Sequence, residues 1–296
     1  MRICSLITLF NPDINKLEKN LVQILTYAEK IFLLVNSQDK PILNNKDDRI
    51  SIIMNNKNIG LSKAFNIGLN QAKAEGYDYA ILFDQDSYLD KKNFDILFQE
   101  YNDFSINKNV MCIGPALNVY GKDLPTPNWT KDYKKRFDNE HITSVLQVIT
   151  SGMLLNIEKA LSIGGFNEDY PVDFCDYCFC WKAIYNNYYV LKSKNSKIIH
   201  EIGNSNMSIG KHTIHFHSPY RNYFMVRDTL NIVYRLKETP FKIRIRYNFF
   251  LIPRMVLFLI HLDRKRERLL MYRLGLKDFF TNRHQYGSIA KLLNAE

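Results

Sequence analysis

Short apolar runs alternate with amphipathic stretches along the first half of the chain. Runs of this length, bounded by turn residues, predict buried strands, and stretches with helical periodicity predict helices between them. The predicted strands are 3–10, 31–35, 50–54, 79–83, 110–117 and 145–156, and the predicted helices are 11–30, 61–74 and one that begins near residue 91. This alternation predicts an α/β fold with a mostly parallel sheet covered by helices.

The pattern changes near His217, after which long aromatic and basic helices are predicted. The most apolar stretch, Tyr247 to Leu262, is interrupted by Pro253 and Arg254 and is too short to span a bilayer. We therefore expect an α/β domain over residues 1–216 and a helical C-terminal extension over residues 217–296.

Positive charge is concentrated in this extension. The whole chain carries a net charge of +10, and residues 235–273 hold eleven Lys or Arg against three Asp or Glu. Such a segment favours an anionic partner. One interpretation is a peripheral helix on an anionic membrane surface, and the other is a helix that packs on the domain with a solvated basic end. No nucleic-acid recognition motif is present, so nucleic acid is not an expected partner.

The five cysteines do not have the spacing of a disulfide framework, and Cys175 and Cys178 lack a second pair at zinc-ligand spacing. The first residues lack the features of a secretory signal and are typical of a buried strand. We expect a reduced, cytoplasmic protein, peripheral at the inner face of the cell membrane. Its oligomeric state is open, and a dimer through the long helices is one possibility.

Asp84 and Asp86 follow directly after a predicted buried strand. Ligands of open α/β sheets bind beyond the carboxyl ends of the strands, and two carboxylates there suit Mg²⁺ or Mn²⁺. Two aspartates separated by one residue are also common in ordinary turns. Downstream, Asp173 and Asp176 share a face if a helix begins there, and either a general base or a helix cap explains an Asp at that place. His200 follows the run at residues 196–199, which has strand character, and is either structural or a ligand.

An ordered set of motifs resembles family 2 glycosyltransferases of the GT-A fold, a Rossmann-like architecture, and particularly bacterial rhamnosyltransferases that build surface polysaccharides. The motifs span nearly the whole chain. They lie at residues 8–12, at 58–68 (NIGLSKAFNIG), at 84–87 (DQDS), at 150–152, at 164–168 (GGFNE) and at 217–223 with Arg227.

The resemblance implies a role for each matching residue. Asp84 and Asp86 would hold Mg²⁺ or Mn²⁺ on the donor diphosphate, with His200 as a further ligand. Asp176 would be the catalytic base and Asp173 would shape the acceptor pocket or orient that base. The residues implied on the nucleotide side are Thr8, Phe10, Asn11, Asn36, Asn58, Gly60, Lys63, Asn66 and Gln85. Those expected near the acceptor or the donor sugar are Ser151, Gly152, Trp129, Arg221, Tyr223 and Arg227.

Two positions depart from the family pattern. Val35 stands where family members usually have an Asp that contacts the nucleotide, and Cys178 replaces the Glu of the family's Asp-x-x-Asp-x-Glu motif. Base recognition and acceptor choice are therefore expected to differ from those of typical members.

The implied activity is that of an inverting, metal-dependent transferase that moves L-rhamnose from dTDP-rhamnose to a lipid-linked saccharide in polysaccharide synthesis. A transferase that uses another nucleotide-sugar, such as a UDP-hexose, is one alternative. A non-catalytic nucleotide-sugar-binding protein on the same fold is another, because Val35 and Cys178 break the motif.

Overall fold

The computed structural model describes residues 1–106, 108–119, 122–123, 126–132, 137–199, 206–209, 212–215 and 218–290. The chain forms two compact units. The first consists of Met1–Asn167 and Cys175–Glu201, and the second of Glu168–Phe174 and Ile202–Glu296. The predicted domain boundary at residues 216 and 217 stays a prediction.

The first unit is built on a mixed sheet. Its strands are β1 (Ile3–Leu9), β2 (Lys30–Val35), β3 (Ile50–Met54), β4 (Tyr79–Asp84), β5 (Val110–Val119), β6 (Lys122–Asp123), β7 (Ile142–Ser144), β8 (Met153–Asn156) and β9 (Tyr189–Ile199). They lie in the order β3-β2-β1-β4-β8-β5-β9-β7, with β6 paired to β5. The first four strands of this order are parallel, and β8 runs antiparallel to both β4 and β5.

Helices cover both faces of the sheet. They are α1 (Ile14–Ile24), α2 (Leu61–Ala74), α3 (Lys91–Ser105), α4 (Ile157–Ser162) and α5 (Cys175–Tyr185). One apolar cluster buries α2, α4 and α5 against the sheet and includes Phe65 and Phe179. A second cluster, with Leu21 and Phe94, does the same for α1 and α3. The α/β prediction is confirmed.

Two predicted elements differ from the structure. The first helix ends at Ile24, well before Lys30, because Lys30 already pairs with Cys4 at the start of β2. The strand predicted over residues 145–156 is confined to its last four residues, Met153–Asn156. Its first part is interrupted at Gly152, whose φ of +80° is a left-handed backbone conformation that favours glycine.

The second unit consists mainly of α6 (Pro219–Tyr234), α7 (Phe241–His261) and α8 (Lys265–Phe280), with a hairpin of β10 (Asn206–Ile209) and β11 (His212–His215). Gly275 of α8 permits close packing on α6, since a Cβ atom there would lie 2.8 Å from the carbonyl oxygen of Tyr223. Within the described residues, no helix combines the length and the apolar character that crossing a bilayer requires.

All five cysteines are buried and none forms a disulfide. Buried thiols of this kind pack as small apolar side chains.

Candidate functional site

The carboxyl ends of β1, β2 and β4 meet at one edge of the first unit. Thr8 of β1 pairs with Asp84, the last residue of β4, and Leu9 pairs with Val35, the last residue of β2. Asp84 is half-buried at this edge, and Asp86 is exposed two residues further on. Parallel strands thus place the predicted metal motif at the edge where ligands of α/β sheets bind.

Asp84 is held by the turn that precedes β8, the strand beside β4. The buried hydroxyl of Ser151 donates a hydrogen bond of 2.6 Å to Oδ2 of Asp84. The next residue, Gly152, donates its backbone N–H to the carbonyl oxygen of Leu82 at 2.8 Å. A Cβ atom at Gly152 would approach Pro115 to 2.8 Å, so the turn that delivers Ser151 requires a glycine.

The loop after β1 is tied to the same edge. Phe10 donates its backbone N–H to Oε1 of Gln85 at 2.8 Å, and its own side chain is 52% exposed. Asn11 adopts a left-handed conformation with a φ of +46°. Gln85, predicted on the nucleotide side, therefore fixes the turn that contains Phe10 and Asn11.

The charges of the predicted base, Asp176, and of Asp84 in the predicted metal motif both affect the pKa of one buried thiol, that of Cys175. Asp176 lies in the first turn of α5, where its Oδ1 accepts from the N–H of Tyr177 at 2.8 Å. Burial is the main cause that raises the pKa of the neighbouring Cys175 thiol, and the negative charges of Asp176 and Asp84 raise it further. A hydrogen bond with Ser62 acts in the opposite direction. Because such charge effects fall off with distance, Asp84 and Asp176 both lie within electrostatic reach of Cys175.

Asparagines organise the ends of β2 and β3. Asn36 donates to the carbonyl oxygen of Gly60 at 3.3 Å and accepts from Asn55 at 3.0 Å. Oδ1 of Asn58 accepts from the N–H of Gly60 at 3.1 Å, and Gly60, with a φ of +86°, begins α2. These bonds aim the first turn of α2, with the exposed Lys63, at this edge of the sheet.

Asn66 has a different set of partners. Its side-chain amide donates to the carbonyl oxygen of Phe166 at 2.9 Å and accepts from the N–H of the same residue at 2.8 Å. The amide thereby fixes the turn that contains Gly165, a residue with a φ of +61°. We therefore expect Asn66 to support the site rather than to touch the nucleotide.

Val35 cannot make the polar contact that an Asp at this position would make. Its side chain is fully buried in the apolar cluster beneath α1 and α3. Any polar contact with a nucleotide base near β2 must come from neighbouring residues such as Asn36 and Asn55.

The residues predicted from the C-terminal motif lie within the second unit. Arg221 forms an ion pair with Asp173, through Nη2 and Oδ1. Tyr223 and Arg227 are fully buried: Arg227 donates to Tyr223 at 3.0 Å, and Tyr223 donates to Asp278 at 2.7 Å. Since these two side chains pair internally, we expect them to brace this unit and not to touch a sugar.

A cavity of about 210 Å³ lies in the first unit and includes the predicted Trp129. Its lining also contains Tyr177, Gln147 and Lys192. These three residues come from a helix, a loop and a strand that are distant in sequence, so no local pattern predicts that they line one cavity.

The donor set fits a hard divalent cation in chemistry, because Asp84 and Asp86 supply carboxylate oxygens at an open edge. His200 lies outside the described residues, so its role as a metal ligand stays a prediction. Among the residues that the structure describes, no group of three or more His, Cys, Asp or Glu is arranged to hold a metal. Among the described residues, Asp84 and Asp86 are the carboxylates that would hold the ion.

Sequence comparison finds relatives that transfer sugars. Residues 35–159 match the family described as Glycosyl transferase family 2. The dTDP-rhamnosyl transferase RfbF of Shigella flexneri is 24% identical over 258 residues, which make up 82% of this chain and 83% of RfbF.

Structural comparison finds the same class. GalNAc-T7 with UDP, GalNAc and Mn²⁺ matches with a TM-score of 0.56 and 14% identity, over 89% of this chain but only 58% of that one. TarS 1-349 of S. aureus, in complex with UDP-GlcNAc, matches with a TM-score of 0.53 and 14% identity, over 95% of this chain and 81% of TarS 1-349. At these identities the likeness shows the fold, which is that of GT-A glycosyltransferases.

Proposed function

We propose that this chain, a glycosyltransferase whose residues 35–159 match family 2, transfers L-rhamnose from dTDP-rhamnose to a saccharide acceptor with inversion. The observation that carries the reaction is the position of Asp84 at the carboxyl ends of the parallel strands, where the hydroxyl of Ser151 holds it by a 2.6 Å hydrogen bond. The choice of donor is supported by the name of RfbF, its relative over most of both chains.

Asp176 would act as the general base. Its carboxylate would take the proton from the acceptor hydroxyl as that oxygen attacks the anomeric carbon, and the bond from this carbon to the diphosphate oxygen would break in the same step. A single displacement of this kind inverts the anomeric configuration. The position of Asp176 in the first turn of α5 favours its charged form, because the helix dipole stabilises negative charge there.

Asp84 and Asp86 would hold Mg²⁺ or Mn²⁺ beside the donor diphosphate, and Ser151 would orient Asp84 through their 2.6 Å hydrogen bond. A divalent cation supplies positive charge next to the leaving oxygen while negative charge develops on it. The positive end of the α2 helix dipole and the side chain of Lys63 would add further positive potential for the diphosphate.

Donor hydrolysis by the wild-type protein tests this proposal. We expect slow release of dTDP from dTDP-rhamnose in the presence of Mn²⁺, and none after chelation. Faster release of UDP from a UDP-hexose would replace the proposed donor but keep the transferase. If calorimetry showed that nucleotide-sugars bind without any turnover, even with a range of saccharide acceptors, the non-catalytic alternative would be favoured.

We also propose that α7 docks on an anionic membrane, where a lipid-linked saccharide acceptor would be presented. Its exposed apolar residues recur every three or four positions and form one stripe along the helix. The stripe consists of Phe241, Ile245, Phe249, Ile252, Val256 and Ile260. Exposed Lys242, Arg246 and Arg254 accompany it. A helix with an apolar face and basic flanks is suited to lie in the headgroup region of acidic lipids.

Vesicle flotation tests this second proposal. The wild type should bind vesicles containing phosphatidylglycerol, with affinity falling steeply as salt rises, because screening weakens the basic contacts. The variant Phe249→Ser should bind more weakly at every salt concentration. Ile42→Ser, which changes an equally exposed apolar residue in the first unit, is the matched control and should bind like the wild type. Equal binding by both variants would contradict docking through α7.

A further inference from the structure

The cavity beside Trp129 contains a polar group that the protein leaves unsatisfied. The Gln147 side chain is more than nine-tenths buried, and its Oε1 has no hydrogen-bond partner among the described residues. A buried amide oxygen without a partner costs roughly 1–3 kcal/mol. Because Gln147 lines the cavity, a rotation of its side-chain amide would offer this oxygen to a donor on a ligand bound there.

A cationic donor lines the same cavity. Lys192 of β9 is half-buried, and burial lowers the pKa of its amino group. No ion pair of Lys192 is found within the part of the chain that the structure describes. The cavity therefore contains one strong donor, at Lys192, and one unsatisfied acceptor, at Gln147.

Aromatic and apolar surfaces form the rest of the wall. Trp129 and Tyr177 contribute rings, and Pro115 and Val148 contribute aliphatic groups. Pyranose rings suit such walls, because they present apolar C–H faces and a rim of hydroxyl groups. The volume of about 210 Å³ is below the ~300–1,000 Å³ that is usual for drug-sized ligands, which fits a single sugar ring.

The cavity also lies next to the proposed base along the chain. Tyr177 follows Asp176 directly, and its backbone N–H donates to the carboxylate of Asp176 at 2.8 Å. A sugar ring held against Tyr177 would therefore lie close to the turn of α5 that carries the proposed base.

We propose that this cavity binds the terminal pyranose ring of the acceptor saccharide. Oε1 of Gln147 accepts a hydrogen bond from one sugar hydroxyl, the amino group of Lys192 donates to another, and Trp129 packs on the ring face. The acceptor assignment rests on the transferase function proposed above, whereas the binding of a sugar ring can be tested without it.

Intrinsic fluorescence measures that binding directly. The chain has two tryptophans, and Trp181 is fully buried, so Trp129 is the one that a ligand in the cavity touches. The probes are methyl α- and β-glycosides of glucose, galactose, N-acetylglucosamine and rhamnose. At least one should change the emission saturably, and Trp129→Phe should abolish that change.

The variant Gln147→Leu isolates the polar contact. It replaces the unsatisfied amide with an apolar side chain of similar volume, so its Tm should equal or exceed that of the wild type. Its Kd for the glycoside should rise about tenfold, as expected for the loss of one hydrogen bond in a site built for it. Gln99→Leu makes the same chemical change on the exposed face of α3 and should leave the Kd unchanged.

The two proposals can fail separately. If no glycoside changes the emission of the wild type, or if Gln147→Leu binds as tightly as the wild type, the sugar site is refuted even when dTDP-rhamnose is hydrolysed. If a glycoside binds but no nucleotide-sugar is ever hydrolysed or transferred, the transferase proposal fails while the sugar site stands. If both proposals hold, Gln147→Leu should raise the KM for the acceptor about tenfold, in step with the rise of its Kd for the glycoside.

Discussion

At the scale of single residues, the site depends on pairs that are distant in sequence. Ser151 and Asp84 are separated by 67 positions and are joined by one hydrogen bond. The position of Asp84 after a strand could be predicted from local pattern, and the structure agrees with it. Its partner could not, because nothing local to Ser151 indicates which strand β8 pairs with. Resemblance marked Ser151 as a site residue but did not supply this contact.

Removing the Ser151 hydroxyl should weaken metal binding. We expect Ser151→Ala to raise the Mn²⁺ concentration for half-maximal donor hydrolysis by roughly 10-fold, as is typical when a group that orients a metal ligand is lost. The rate at saturating Mn²⁺ should change much less. Ser162→Ala, at an exposed serine, is the control. An unchanged Mn²⁺ requirement in Ser151→Ala would show that this hydrogen bond does not orient a ligand.

A second prediction concerns Asp228, which is fully buried beside Arg227 in the second unit. Burial raises its pKa from the ordinary 3.8 to about 7, although the nearby Arg227 charge acts in the opposite direction. The folded state therefore holds this proton more tightly than the unfolded state does. Its contribution to stability is complete at acidic pH and is lost as the pH rises from about 4 to about 7.

The variant Asp228→Asn should lack this titration. Its Tm should depend less on pH than the wild-type Tm over that window, so that the Tm difference shifts in favour of the variant as the pH rises. Thermal unfolding followed by circular dichroism at several pH values measures this. Parallel Tm profiles for the two proteins would contradict the raised pKa.

At the scale of elements, the entry into α5 is the least predictable feature. The sequence favours a helix near Asp176, but Phe174 just before it has a φ of +63°, a conformation that costs a bulky residue on the order of 1–3 kcal/mol. Contacts in the second unit hold it there: Asp173 pairs with Arg221, and the Phe174 ring packs edge-on against Tyr247 of α7, with centroids 5.2 Å apart. No local pattern predicts such support.

Loss of the Tyr247 ring should loosen the start of α5 and thereby misplace Asp176. We expect Tyr247→Ala to lower kcat about tenfold with little change in donor affinity, since a small displacement of a base is costly. Tyr247→Phe keeps the ring and should retain wild-type activity. Steady-state kinetics and donor calorimetry on both variants measure the effect. Equal loss of kcat in the two variants would assign the effect to the hydroxyl and not to the ring.

At the scale of the whole molecule, the charge distribution and the helical periodicity of the sequence predicted the basic helical region. They could not predict how its helices pack. The segment Glu168–Phe174 belongs to the same compact unit as the C-terminal helices, although it is far from them in sequence. A boundary drawn from composition alone cannot find such an insertion. Buried Arg227 and Arg268 were equally hidden, because charged residues in a basic helix are expected to face solvent.

The central claim is that Asp84 and Asp176 act in one reaction on a nucleotide-sugar. The most direct measurement is dTDP release from dTDP-rhamnose with Mn²⁺, with and without a saccharide acceptor, for the wild type, Asp84→Asn, Asp176→Asn and the exposed control Asp95→Asn. Asp84→Asn should lose roughly 10²–10³-fold in both assays. Asp176→Asn should lose roughly 10²–10⁴-fold in transfer while its calorimetric affinity for the donor is retained. The control should match the wild type, and wild-type rates in both site variants would contradict the account.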